Sequence, residues 1–277
     1  MKNILEKANW SFIGNSNIAI YFLDSLKKEY HIQPTRIFTS LPRPVGRKQI
    51  LTPSPVYIYA ISQGLEVIQS DTLDPYSHFF TQDDFVCVFA YGNKIRGELL
   101  DLPRTHFINI HPSLLPQYRG ASPITKAILD DTKATGISII EMSEEMDAGD
   151  IIGQLDWQID EWQKYDKLEQ EAASKAADLF TQVVPRYLAG KISPQAQQAP
   201  TATYTTKYTK SDMQIFSNMD EYDKYRHYCA FPKPFVMYEG KRYVVSEAHY
   251  TKEDGFRITK VTPEGKQTQA YTAFEYD

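Results

Sequence analysis

Phe85, Val86, Cys87, Val88, Phe89 and Ala90 form an unbroken apolar run, and this run most narrows what the chain can fold into. Successive side chains of a strand point to opposite faces, so a strand apolar at every position must be buried on both sides. A parallel sheet covered by helices provides that environment. The flanking segments fit. Residues 10–14 form a second apolar run ending in Gly14, followed by Asn15, Ser16 and Asn17, whose side chains suit a helix cap. Ile18, Ile20, Tyr21, Phe22, Leu23 and Leu26 then recur at helical spacing. Arg36–Thr39 and Glu66–Gln69 read as strands, and residues 56–64 between them as a helix. Further strands are expected over residues 107–111 and 136–142, with helices near 124–129 and over 167–188. This alternation predicts an α/β fold, a Rossmann-like and mostly parallel sheet with helices on both faces.

Two stretches break the pattern. Residues 41–55 carry Pro42, Pro44, Pro53 and Pro55 and are expected to be a loop, because proline removes a ladder donor. Residues 193–206 are rich in Pro, Gln, Ala and Thr, which is linker chemistry. Beyond them come a polar helical stretch, 219–228, and β-like runs at Phe235–Tyr238, 242–250 and 256–261, with Glu239 and Gly240 placed for a hairpin turn. We therefore expect a catalytic domain over residues 1–195, a linker over 196–206 and a small, mainly β domain over 207–277, a reduced open barrel.

The 277-residue chain has a net charge of -5, so no global basic field favours nonspecific nucleic-acid binding. One structured RNA gripped locally remains compatible. Cys87 and Cys229 are far apart and follow no metal-ligand spacing; Cys87 lies within an apolar run and reads as a buried small hydrophobe. No stretch reaches the roughly 20 apolar residues of a membrane span. The expectation is a cytoplasmic protein with no metal and no indicated protein partner.

The chemistry-bearing residues lie in three separate segments. Both G-x-G-x-x-G and G-x-x-x-x-G-K-[ST] are absent, so the fold does not imply a dinucleotide or nucleoside triphosphate. On the strand 107–111, Asn109 and His111 share one face. A polar pair at the end of a buried strand is costly unless that end opens on a cleft, and open α/β sheets bind ligands at the carboxyl ends of their strands. Asp147 follows the strand 136–142 and precedes Ala148 and Gly149, where backbone freedom permits close approach. A carboxylate beside His111 can orient the imidazole for acid–base work on an amine.

Asn109, His111, Pro112, Ser113, Leu114, Leu115 and Pro116, then Arg119, Gly120 and Pro123, then Asp147, Ala148 and Gly149, together resemble the folate-dependent formyltransferase superfamily over residues 10–190. Within it, Arg43 to Arg47, Pro53 to Val56, Ala202 to Tyr204 and Val261 to Lys266 resemble the branch that acts on methionyl initiator tRNA. The resemblance implies transfer of a formyl group from 10-formyltetrahydrofolate to a primary amine, without metal and without a covalent enzyme intermediate. It implies that Asn109 and His111 stabilise the oxyanion while Asp147 orients His111 and takes the proton. Folate is then expected against Phe89, Ala90, Tyr91 and Gly92, against Ser113, Leu114, Leu115 and Pro116, and against Met142 and Met146; Leu99 and Leu100 are expected in the core. Arg43, Arg47 and Lys48 form the best local cationic group for tRNA phosphates. The segment after Ala202 is short for a barrel-like tRNA-binding domain, so a nucleotide-linked amino sugar is the alternative acceptor.

Overall fold

Between the short helix α1 (Lys2–Lys7) and α2 (Asn17–Ser25), the first apolar run becomes strand β1 (Trp10–Ile13), buried at every position. In the computed structural model, which describes residues 2–46, 48–102, 106–159, 163–272 and 275–277, this strand lies inside a seven-stranded sheet. On one side of β1 lie β2 (Arg36–Thr39) and β5 (Glu66–Gln69). On the other lie β6 (Phe85–Phe89), β7 (His106–His111), β9 (Ala134–Glu141) and β10 (Ile151–Gln158). β1 pairs in parallel with β2 and β6, β2 with β5, and β6 with β7; β9 runs antiparallel to β7. The sheet is thus α/β and mostly parallel. The chain steps outward from β1 to β2 and β5, then returns to β6 on the opposite side of β1. That reversal leaves a crevice at the carboxyl ends of the strands, where such sheets bind ligands.

Both faces of β6 are packed, as its composition demands. Val86 and Val88 meet Ile13, Phe38, Phe80, Leu99 and Phe107 in one buried cluster, with Leu100 and Met142 against it. The opposite face is built from rings. Trp10 stacks on Phe85 with centroids 5.1 Å apart, and Phe22 of α2 meets Phe89 edge-on at 5.6 Å. Phe180 from the long helix α7 (Tyr165–Leu188) lies within 6.0 Å of the rings of Trp10, Phe22 and Phe85. Such ring pairs add about 0.5–1.5 kcal/mol each beyond the area they bury.

Helix α3 (Pro55–Ser62) starts where Ser54 accepts from the Tyr57 backbone at 3.0 Å with Pro55 in the first turn. The segment expected to be a loop before it is instead an antiparallel ribbon, β3 (Arg43–Val45) with β4 (Ile50–Thr52). Its six residues are exposed. In an isolated two-stranded ribbon both strands are edges, so Pro44 deprives no interior ladder of a donor. Two further one-turn helices, α4 (Ser77–Phe80) and α5 (Gly97–Leu100), precede β7. The two-residue strand β8 (Arg119–Gly120) leads to α6 (Pro123–Leu129) and pairs with β11 (Tyr204–Thr205).

The chain divides into two compact units, and the second is assembled from three segments: 120–135, 158–168 and 205–277. It contains α6, α8 (Glu221–Ala230) and an open antiparallel sheet in the order β12 (Phe235–Tyr238), β13 (Lys241–Thr251), β14 (Gly255–Pro263), β15 (Gln269–Ala270). Asp220 caps α8 by accepting from Tyr222 N at 2.8 Å. Tyr238 pairs with Lys241, and the two residues between them, Glu239 and Gly240, have φ of 49° and 68°. Positive φ at both positions matches the right-handed twist of the flanking strands. Among the described residues, no helix is long and apolar enough to cross a membrane.

Candidate active site

Asn109 and His111 lie at the carboxyl end of β7, and both turn toward Asp147. Asn109 Nδ2 donates to Asp147 Oδ1 at 3.3 Å. His111 Nδ1 lies 3.6 Å from Asp147 Oδ2, in contact but long for a hydrogen bond. The other ring nitrogen, Nε2, is 2.9 Å from the carbonyl oxygen of Tyr118. A carbonyl only accepts, so Nε2 carries a proton and Nδ1 is the nitrogen facing the carboxylate. His111 is buried, at 4% exposure, and the Asp147 side chain is nearly so. In such surroundings fixed donors and charges act more strongly than in water.

Three non-glycine residues around this centre sit in the left-handed region: Ala90, Tyr118 and Asp147, with φ of 54°, 60° and 53°. Such backbone costs about 1–2 kcal/mol for most residues and less for aspartate, so surrounding contacts must hold it. Gly149 supplies part of that support. A β-carbon there would fall 1.8 Å from the Glu141 carbonyl oxygen, so only glycine lets the 147–149 turn close onto the end of β9. Glu141 N donates to the Asp150 carbonyl at 2.9 Å and seals the same closure.

The segments expected to receive folate are arranged differently from one another. Phe89 and Tyr91 are buried, while Ala90 and Gly92 are exposed and present backbone at the end of β6. Ser113 and Leu115 are also buried. Ser113 Oγ donates to the Gln117 carbonyl at 2.7 Å, and Leu115 N to Ser138 Oγ at 3.0 Å, so both serve the loop that follows His111. Leu114 and Pro116 are half-buried, Leu114 against Gly136. Met142 packs on the core cluster and Met146 is exposed. Arg43 is exposed and paired with Asp71 at 2.9 Å; Lys48 is exposed; Arg47 lies outside the described residues.

Two residues escape sequence reasoning. Asn15 looks like part of a helix cap, but its side chain ties three strand ends together. Its Oδ1 accepts from Thr39 Oγ1 and Ser40 N, each at 2.8 Å, and its Nδ2 donates to Ser40 Oγ and to the Tyr91 carbonyl. Gln197, in the linker-like stretch, donates to the carbonyls of Asp147 and Gly149 at 2.8 and 2.7 Å. An asparagine two residues past the end of a buried strand is a usable signal for the first. Nothing local marks the second. Among the described residues, no group of three or more His, Cys, Asp or Glu side chains is arranged to hold a metal ion.

A model of the Formyl transferase family matches residues 11–184. The methionyl-tRNA formyltransferase of Caldicellulosiruptor saccharolyticus is 34% identical over 251 residues, covering 88% of this chain and 80% of the relative. Among solved structures, a methionyl-tRNA formyltransferase from Clostridium thermocellum superposes with a TM-score of 0.63 at 18% identity, covering 92% of this chain and 98% of that one. An N-formyltransferase from Helicobacter canadensis, in complex with folinic acid and dTDP-3-aminofucose, gives 0.62 at 17% identity over 95% of this chain and 100% of its own. At these identities the two structures establish the fold. The family match and the sequence relatives go further: the chain belongs to the formyl transferase family and is a folate-dependent formyltransferase.

Proposed function

We propose that the protein transfers a formyl group from 10-formyltetrahydrofolate to the amino group of methionyl initiator tRNA by direct attack. The observation that carries the chemistry is the meeting of Asn109 and His111 with opposite oxygens of the Asp147 carboxylate. Transfer joins the acceptor nitrogen to the formyl carbon and breaks that carbon's bond to N10 of the folate, which takes up a proton and leaves as tetrahydrofolate. The attacking amine must lose a proton; in this reading Asp147 accepts it, and it passes on to N10. The formyl oxygen gains negative charge in the tetrahedral intermediate and needs preorganised donors. Asn109 Nδ2 has a second hydrogen beyond the one given to Asp147. His111, its Nε2 committed to Tyr118, works through Nδ1. Ala90 and Gly92, exposed just after β6, would meet the folate.

The sequence relatives support methionyl-tRNA as acceptor, because relatives at 32–34% identity carry that activity in their names and share most of their length with this chain. The short second unit, an open four-stranded sheet, also fits a nucleotide-linked amino sugar. One assay decides. Purified protein and 10-formyltetrahydrofolate are supplied with methionyl initiator tRNA, free methionine or a panel of nucleotide amino sugars, and tetrahydrofolate release is followed. Formylation of the tRNA alone is expected; formylation of a sugar but not the tRNA overturns the acceptor, and no release with any amine overturns the transferase reading of this site.

A further inference from the structure

The side-chain amide of Gln197 uses its whole hydrogen-bonding capacity around Asp147. Its two N–H groups go to the carbonyls of Asp147 and Gly149, at 2.8 and 2.7 Å. Its oxygen accepts from Arg119 Nε and Nη2, at 3.1 and 2.9 Å. The opposite amide orientation would set oxygen against carbonyls and NH2 against a guanidinium, so the chemistry fixes which end is which. Arg119 is itself buried, at 3% exposure, and its Nη1 reaches Glu145 at 3.2 Å in the loop that carries Asp147. It directly follows Tyr118, whose carbonyl receives the His111 Nε2 proton. The same linker segment holds that side too: Tyr118 N donates to Thr203 Oγ1, and Arg119 N to the Thr203 carbonyl, each at 2.9 Å.

We infer that Gln197 is a positioning residue for the reaction, a clamp that keeps the Asp147 turn in its left-handed conformation and the carboxylate in register with His111 and Asn109. The inference rests on the role given to Asp147 above. Gln197 touches only the main chain of the turn, so it acts through placement and not through charge on the reacting atoms. Misplacing a reacting group by about 1 Å costs on the order of a hundredfold in rate. Gln197→Glu keeps the length and the Arg119 pairing but puts a carboxylate oxygen against two carbonyls; Gln197→Ala removes both sets of bonds.

The test compares Gln197→Glu and Gln197→Ala with the unaltered protein in steady-state formyl transfer, with hydrogen exchange measured over the whole chain by mass spectrometry. Expected in both variants is a fall in kcat of roughly tenfold to a hundredfold, with KM for folate and acceptor changed less than about twofold. Faster exchange is expected in the peptide spanning residues 141–150, and in Gln197→Ala also beside Arg119, with the rest of the chain unchanged, which separates a loosened turn from general unfolding. An unchanged kcat, a rise in KM at constant kcat, or an unchanged exchange rate in that peptide overturns the inference. Asp147→Asn, assayed alongside, reports separately on the reading beneath it: near-normal turnover there rejects the Asp147 role whatever Gln197 does.

Discussion

A histidine with one ring nitrogen tied to a carbonyl has a single nitrogen left for chemistry, and in His111 that nitrogen faces the Asp147 carboxylate. The pair therefore works as a unit, and losing either member should cost most of the rate. We predict that His111→Ala and Asp147→Asn each lower kcat by about a hundredfold or more while folate binding, measured by equilibrium titration, stays within a few-fold. Near-normal turnover in either variant rejects the assigned role. The Asn109 and His111 pairing was legible because strand alternation is a local rule: two residues apart means one face. Gln197 was not legible. Its partners at Asp147, Gly149 and Arg119 are 50, 48 and 78 residues away, and no periodicity encodes contacts at that range.

At the scale of elements, burial decides what the sequence betrays. β6 announces itself because a strand with both faces covered must be apolar along its length. β10 is hard to read from sequence: it is an edge strand whose residues after Ile152 alternate between half-buried and exposed, a weak signal beside the long helix that follows. The β3–β4 ribbon was hidden by Pro44 and by having no buried face at all. Val45, Ile50 and Leu51 stand exposed on it, and its cation Arg43 is held by Asp71. For an acceptor RNA, Arg43 would exchange that carboxylate for a phosphate and Lys48 would add a second contact. The double variant Arg43→Ala, Lys48→Ala should then raise KM for methionyl-tRNA several-fold and lower the slope of log affinity against log salt by about 1 per lost contact. An identical salt slope in the variant removes this ribbon from the RNA interface.

Across the whole molecule, tyrosine sets an upper pH limit on the fold. Tyr30 is pushed up to about 12, first by its hydrogen bond to the Asp178 carboxylate and then by burial. Burial alone is the leading cause for Tyr59 and Tyr276, also raised to about 12. Tyr30 and Tyr59 belong to the first unit and Tyr276 to the second, so both carry the same liability. In the unfolded chain these phenols ionise near 10; in the folded chain they keep their protons to about 12. Between those values the native state holds more protons than the unfolded one, so the stability present below about pH 10 is lost as pH rises toward 12. Tm measured from pH 8 to 12 should stay level to about 10 and then fall steeply, with tyrosinate absorbance growing together with loss of helical circular dichroism. Tyr59→Phe removes one of these groups and should make the fall shallower. A Tm that stays level to pH 12, or tyrosinate that forms fully while the helical signal persists, would show that these phenols ionise freely in the folded protein and that their burial does not limit it.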